Sequence, residues 1–225
     1  MRVLAIDTAL DACSAAVLDT GGRVKSRSLP MVRGHAEALM PLIARVMHLA
    51  EVEFTDLDRI AVTTGPGSFT GLRVGIAAAR GIALAAGRAA IGLSTLAGFA
   101  APLIAEDDTS HVVAAIDARH DNVYLQIFGP SGRTLVAPRV ASLREALRAA
   151  TTGPARIVGT AADLMAGAWT KDAEPPLLVE QRSAPDIGWV ARLGVAAADG
   201  FGPPKPLYLR APDAQPQDAA RLPRR

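Results

Sequence analysis

Along the first hundred positions, the spacing of apolar and polar residues alternates between patterns typical of strands and of helices. Short apolar or alternating runs come first, and their lengths predict three strands that fold back on one another. From residue 36 the apolar positions recur every three or four residues, which is the period of an amphipathic helix. The pattern then predicts strand, helix, strand and a third helix capped by Ser94. The predicted strands are 2–7, 13–19, 23–29, 59–64 and 89–93, and the predicted helices are 36–50, about 70–86 and about 95–105.

The second half of the chain repeats this order. Strands are predicted at 111–118, 122–128, 133–140, 156–159 and 177–180, and helices after Ser142 and at about 186–199. When the sequence is compared with itself at an offset of 110 positions, seven of the 21 residues from 3 to 23 match, including Asp7 with Asp117. Any two hairpins share alternation and a turn glycine, but so many identities favour a duplication.

We therefore predict two lobes of one architecture, residues 1–105 and 106–200, with the last helix packing back on the first lobe. Residues 201–225 contain many prolines and are predicted to be a tail without regular structure. Lobes that open with a strand meander ending in Asp resemble actin, hexokinase and Hsp70. The predicted fold class is α/β: a two-lobed, actin-like (ASKHA, ribonuclease H-like) duplicated fold with mixed sheets flanked by helices.

Composition and charge narrow the classes of function. The 225 residues are 50% hydrophobic and 20% charged with a formal net charge of +2, which is typical of a folded core and not of a disordered chain. Outside residues 221–225 there is no run of basic residues, so direct nucleic-acid binding is not predicted. One cysteine, Cys13, excludes an internal disulfide. We expect a cytoplasmic protein with no membrane partner, because residues 74–86 are interrupted by Arg80 and too short to span a bilayer.

The most informative segment is the glycine-rich stretch 63–73, between a predicted strand and a predicted helix. Glycines let a backbone approach a ligand or another chain closely, and the first amides of a helix can hold an anion. The segment lacks the lysine and the spacing of a Walker A loop. Its glycine content alone is explained equally by a phosphate-binding loop and by a tight packing turn.

Residues 65–76, Gly-Pro-Gly-Ser-Phe-Thr-Gly-Leu-Arg-Val-Gly-Ile, resemble the signature of the TsaB (YeaZ) family of tRNA threonylcarbamoyladenosine biosynthesis proteins. Shorter matches follow in the family's order at residues 4–8, 35–37, 94–96, 117–119 with Tyr124, and 206–210. The resemblance implies a non-catalytic subunit that binds and organises the transferase TsaD, with the ATPase TsaE, for N6-threonylcarbamoylation of adenosine in tRNA. It also implies self-association as a homodimer and contact with tRNA only through the complex.

Nucleotide contacts are the second hypothesis for the glycine loop. In kinases of this fold an aspartate after the first strand organises Mg²⁺ and phosphate, and the following hydroxyl contacts phosphate. Ala9 stands where TsaB relatives commonly carry serine, and Asp7 could equally cap its own turn. No cofactor is firmly implied; ATP or ADP at the partner interface is the alternative, and a kinase or ATPase is the alternative function. The candidate nucleotide-binding residues are Asp7, Thr8, Gly65, Gly67, Ser68 and Thr70.

The histidines argue against a metal site. The catalytic relatives that this sequence resembles place two histidines four residues apart on the first long helix. Here Leu39 stands four residues after His35, and His48 lies about 220° around an ideal helix from His35. We expect no metal and no catalytic residues. This spacing opposes a glycoprotease-like peptidase, which is a further alternative, and neither Cys13 nor Ser68 has an identifiable base.

The first two helices are the expected partner surface. The first has an apolar stripe and the second is rich in small residues, which allow close helix–helix approach. In the resembled family these helices pair with TsaD or with a second copy. The candidate partner-binding residues are His35, Leu39, Leu42, Val46, Gly71, Arg73, Val74, Gly75 and Ala78. No role is predicted for the segment Asp117-Ala118-Arg119.

Overall fold

The computed structural model describes residues 1–107, 109–198 and 202–210. The first lobe is a five-stranded sheet in the order β3-β2-β1-β4-β5, with β1 to β3 antiparallel and β4 and β5 parallel to β1. A short 3₁₀ turn, Phe54–Asp56, precedes β4. The elements are β1 Val3–Asp7, β2 Ala12–Leu18, β3 Val24–Pro30, α1 His35–Ala50, β4 Arg59–Gly65, α2 Phe69–Ala86, β5 Ala89–Ser94 and α3 Thr95–Glu106.

The second lobe repeats the first. Its sheet has the order β8-β7-β6-β9-β10, which is the same arrangement of a three-strand meander followed by two parallel strands. The fold class predicted from the sequence is confirmed. Helix α5 is not predicted from the sequence, because its six residues are too few to show a helical period. The elements are β6 His111–Asp117, β7 Asn122–Phe128, β8 Thr134–Ser142, α4 Leu143–Ala150, β9 Ala155–Gly159, α5 Ala162–Gly167, β10 Leu178–Gln181 and α6 Ile187–Ala196.

Strand β1 is buried along its whole length because helices cover both faces of the first sheet. Leu4 and Ile6 point into the core beneath α1 and α2, while Ala5 packs with α6 on the other face. Helix α6 therefore lies on the first lobe although it follows the second in sequence. Buried Arg59 fixes its end by donating to the carbonyl oxygens of Gly194 at 2.8 Å and Ala197 at 2.7 Å, which suits the negative end of a helix dipole.

Residues 202–210, called here the C-terminal strap, contain no helix or strand, yet they pack against the chain. The Leu207 amide donates to the Thr64 carbonyl at 2.7 Å, and Pro204 is buried against β5. Arg210 donates to the Ala118 carbonyl in the second lobe at 3.4 Å. The predicted tail is therefore a packed segment over these nine residues, and its remainder, 211–225, lies outside the described residues.

Helix α2 is long and apolar enough to cross a membrane by length and composition alone, with a mean hydropathy of 1.3 over 18 residues. In the fold, seven of its residues are buried against the first lobe. Two of its glycines differ in surroundings. A Cβ atom on Gly75 would overlap the Thr8 hydroxyl, whereas a Cβ on Gly81 would meet nothing within 4 Å.

This difference predicts opposite effects of the same substitution. Gly75→Ala should lower the free energy of unfolding by about 1–3 kcal/mol, because the methyl group overpacks the contact with Thr8. Gly81→Ala should raise it by about 0.5–1 kcal/mol, because alanine is the better helix former at an open position. Urea denaturation of both variants and the wild type measures the two changes. A Gly75→Ala protein as stable as Gly81→Ala would contradict the packing described above.

Candidate functional site

The glycine loop between β4 and α2 packs directly on the turn that follows β1. A Cβ on Gly67 would overlap the Ala9 carbonyl oxygen, and a Cβ on Gly71 would overlap that of Thr8. The Ser68 amide donates to the Ala9 carbonyl at 2.7 Å. The Thr8 hydroxyl donates to the Gly71 carbonyl, also at 2.7 Å. These glycines are therefore required for backbone-to-backbone packing, which was the second of the two alternatives for this loop.

Gly65 serves the same packing from the other side of the loop. Its φ of 118° is a backbone conformation that side chains rarely allow, and a Cβ would lie 2.9 Å from the Leu207 carbonyl oxygen of the C-terminal strap. Ser68 caps α2, since its hydroxyl accepts from the Gly71 amide at 3.3 Å. Thr70 faces solvent. Of the candidate nucleotide-binding residues, the fold thus gathers all but Thr70 around one corner.

Asp7 lies at the centre of this corner and is fully buried. One carboxylate oxygen, Oδ1, accepts from the Thr63 hydroxyl and from the Ala9 amide at 3.2 Å, which is the turn-capping arrangement. The other oxygen, Oδ2, has no hydrogen-bond partner within the described part of the chain. Burial raises the pKa of Asp7, and the bonds from Thr63 and Ala9 and the charge of His35 oppose this only in part.

Two neighbours complete the corner. The His35 Nε2–H donates to the Leu10 carbonyl at 3.1 Å, so this ring holds the turn. Burial, assisted by the charge of Asp7, raises the pKa of the Cys13 thiol to about 11. The thiol is therefore protonated at neutral pH and unsuited to nucleophilic chemistry.

The apolar stripe of α1 requires a correction. Leu39, Leu42 and Val46 were expected at an association surface, but the structure buries all three in the core beneath the first sheet. His35, Gly71 and Gly75 are also buried. The physical reason is that α1 and α2 are the helices that cover this side of the sheet, so their strongest apolar faces turn inward. Of the candidate partner-binding residues, Arg73 is exposed and Val74 and Ala78 are half-buried.

Comparisons with known proteins agree with this architecture. Residues 30–170 match the family model of TsaD, described as tRNA N6-adenosine threonylcarbamoyltransferase. The Escherichia coli tRNA threonylcarbamoyladenosine biosynthesis protein TsaB is 40% identical over 124 residues, which are 55% of this chain and 53% of that protein. An uncharacterized Mycobacterium tuberculosis protein is 35% identical over 216 residues, 95% of this chain and 94% of that protein.

A solved structure extends the similarity to nearly the whole fold. A crystal structure from Pseudomonas aeruginosa, described as an uncharacterized protein with similarity to peptidase YEAZ, has a TM-score of 0.79 and 29% identity. It covers 93% of this chain and 99% of that chain. The chain belongs to the TsaB (YeaZ) family. Its alignment with the E. coli TsaB spans about half the length of that relative.

With its stripe buried, this TsaB-family chain presents a different set of residues on the outside of the helix pair. On α1, Met40 is 48% exposed, and Ala36 and Ala44 are exposed beside it. On α2, Ala77 and Gly81 are exposed next to the half-buried Val74 and Ala78. We call this set the helix-pair surface. It is apolar, and its small residues allow another helix to approach closely.

A second exposed feature of the TsaB-family chain, a stacked aromatic pair held by an arginine, is not predicted by the sequence pattern. The rings of Phe69 and Tyr208 stack at a centroid distance of 5.4 Å, and the Arg73 guanidinium lies 3.8 Å above the Phe69 ring. Arg73 Nε also donates to the Tyr208 hydroxyl at 3.2 Å. The only sequence signal was that both aromatic residues lie in segments that resemble the family.

No group of three or more metal-ligating side chains comes together among residues 1–107, 109–198 and 202–210. In this TsaB-family chain His35, at the start of α1, bonds the Leu10 carbonyl oxygen. That the purified protein carries no stoichiometric zinc or iron stays an expectation for elemental analysis.

The burial of Asp7 predicts a pH-dependent stability. Its pKa is raised in the folded state above 3.8, so ionisation disfavours folding, and the wild type loses stability through Asp7 as pH rises from about 4 through the folded pKa. Asp7→Asn removes this ionisation. The free energy of unfolding of the variant minus that of the wild type should therefore rise over that range and then level off. Urea denaturation between pH 3.5 and 8 measures this difference; one that stays flat or falls with pH would contradict the raised pKa.

Proposed function

We propose that this chain is a non-catalytic subunit in the biosynthesis of threonylcarbamoyladenosine in tRNA. In this role it binds and organises a TsaD homologue, which carries out the transfer, together with a TsaE homologue. The E. coli relative is a tRNA threonylcarbamoyladenosine biosynthesis protein and the matching family model is that of the transferase, and both support this pathway. The observation that supports a non-catalytic role is the closed corner between the glycine loop and the turn after β1.

In that corner, the hydrogen-bond donors that a phosphate would need are already bonded to carbonyl oxygens of the chain's own backbone. The Thr8 hydroxyl and the Ser68 amide donate to carbonyl oxygens of the same chain. Asp7, the counterpart of the Mg²⁺-organising aspartate, is fully buried. A kinase or ATPase would need this carboxylate to reach a solvent-accessible metal. The peptidase alternative has no support from Cys13, whose thiol is buried and protonated.

The partner is proposed to dock on the helix-pair surface. Met40 is the largest exposed apolar residue of α1, and the exposed Ala36 and Ala44 lie one turn before and after it. Burying apolar area here would stabilise a complex by about 25 cal/mol per Å². A second copy of the chain could use the same surface, so homodimer formation and TsaD binding would compete.

This proposal predicts a specific loss of partner binding. Met40→Glu should weaken association with the TsaD homologue at least tenfold, because a carboxylate would be buried in an apolar contact. Leu164→Glu is the matched control, since Leu164 is 42% exposed on α5 in the second lobe. Analytical ultracentrifugation measures association, and nucleoside mass spectrometry measures threonylcarbamoylation of a tRNA transcript by the mixture with TsaE. Thermal melting of both variants checks their folding.

Two results would contradict the proposal. If the isolated chain modified tRNA or hydrolysed ATP, and Asp7→Asn abolished this activity, the chain would be an enzyme. If Met40→Glu and Leu164→Glu bound the TsaD homologue equally well, the interface would lie elsewhere.

A further inference from the structure

One side of the first lobe carries a group of cationic side chains. It is formed by α2 with the residues that follow it, by β5 and by the C-terminal strap, and none of these elements contains Asp or Glu. We call this surface the cationic strip. Its charged residues are Arg73, Arg80, Arg88, Lys205 and Arg210, all exposed. Two of them also bond the backbone, since Arg88 donates to the Thr55 carbonyl at 2.9 Å and Arg210 to the Ala118 carbonyl at 3.4 Å. These elements contribute five cations and no Asp or Glu, whereas the formal net charge of the whole chain is only +2.

The geometry of α2 aligns part of this charge. Phe69, Arg73 and Arg80 lie within about 40° of one another around the helix, at ~100° per residue, and the two arginines are ~10 Å apart along its axis. The small exposed residues of the helix-pair surface occupy a different sector of α2. Beyond Arg80 the strip continues into a groove of about 740 Å³. Its lining includes Arg80, Leu84, Arg88, residues 89–91 of β5, and Gly202 and Pro203 of the strap.

At the other end of the strip is the stacked group of Phe69, Arg73 and Tyr208. Phe69 is 45% exposed and Tyr208 is 44% exposed, so aromatic surface is offered to solvent in a fixed arrangement. Arg73 holds both rings through one hydrogen bond and one cation–π contact. A guanidinium has five N–H donors, and within the described residues only the Nε–H of Arg73 has an acceptor. The other four can bond a ligand.

The charge and the aromatic rings of the cationic strip indicate which kind of macromolecule it can bind. A second copy joined by a two-fold axis would place the same cations opposite one another, which is unfavourable. The occupant must supply negative charge at intervals and flat surfaces that stack on aromatic rings. Single-stranded RNA supplies both, as phosphates for arginine and as unpaired bases for stacking.

We infer that the cationic strip binds a single-stranded segment of RNA directly. The inference rests on the proposed function, in which the complex acts on tRNA, and adds a contact made by this chain's own residues. The linear sequence gave no sign of it because the cations come from residues 73–88 and 205–210. Only the packing of the strap beside α2 brings them together.

The test is fluorescence anisotropy on the isolated full-length chain at about 50 mM salt, with a labelled 12-nucleotide RNA and an unmodified tRNA transcript. Arg73→Glu should weaken binding of both at least tenfold and reduce the salt dependence, which for single strands is about 0.7 per neutralised phosphate in log–log slope. Phe69→Ala should weaken binding several-fold and leave the salt slope unchanged. Arg144→Glu makes the same charge change on the exposed face of α4 and should alter affinity less than twofold.

Several results would overturn the inference. These are no binding of either RNA by the wild type, equal losses from Arg73→Glu and Arg144→Glu, and displacement of the RNA by polyglutamate of the same charge as effectively as by unlabelled RNA. The last would assign the strip to an acidic protein. Should Arg73→Glu melt early, Arg80→Glu, which breaks no ring contact, is measured in its place with the same expectation.

Association with the TsaD homologue is measured on the same preparations. A chain that binds TsaD but no RNA would overturn this inference and leave the proposed function intact. A chain that binds RNA but not TsaD would overturn the proposed function and leave the RNA-binding strip intact.

Discussion

The close contact between two stretches of backbone, the glycine loop before α2 and the turn after β1, determines how the rest of the first lobe is arranged. No side chain fits between them, because Cβ atoms on Gly67 or Gly71 would overlap carbonyl oxygens of the turn. The contact joins two strands that are adjacent in the sheet but more than fifty residues apart in sequence. It aims the start of α2 across the sheet and leaves Asp7 buried beneath it.

Two properties of the surface follow from that placement. Since α2 is drawn down onto β4, its most apolar side is used by the core, and so is the aliphatic stripe of α1. What faces outward is a band of small residues on the side near α1 and a row of arginines on the side near the strap. We propose that these two adjacent surfaces, and not the closed corner, are where the chain contacts other macromolecules.

The sequence pattern was sufficient to predict the helices and strands, but it was insufficient to predict which of their faces point to solvent. Strand β7 and helix α4 lie where the pattern predicted them, and Ser142 forms the expected cap, because these features depend on local periodicity and short-range hydrogen bonds. Helical spacing shows that Leu39, Leu42 and Val46 share a side, but it cannot say whether that side meets the chain's own sheet or a partner. Leu207 and Tyr208 contact α2 and β4 from more than 120 residues away, and no local pattern encodes such a contact.

The position of the strap near the end of the described sequence also determines the order in which contacts can form during synthesis on the ribosome. Both sheets and α6 are complete in sequence before residue 202 emerges, so a nascent chain at that stage holds two lobes whose Thr64 carbonyl still lacks the Leu207 amide. The link from Arg210 to the Ala118 carbonyl forms later still. The stacking of Phe69 on Tyr208 therefore forms only after residue 208 has been synthesised, and any surface that depends on this pair is absent from shorter nascent chains.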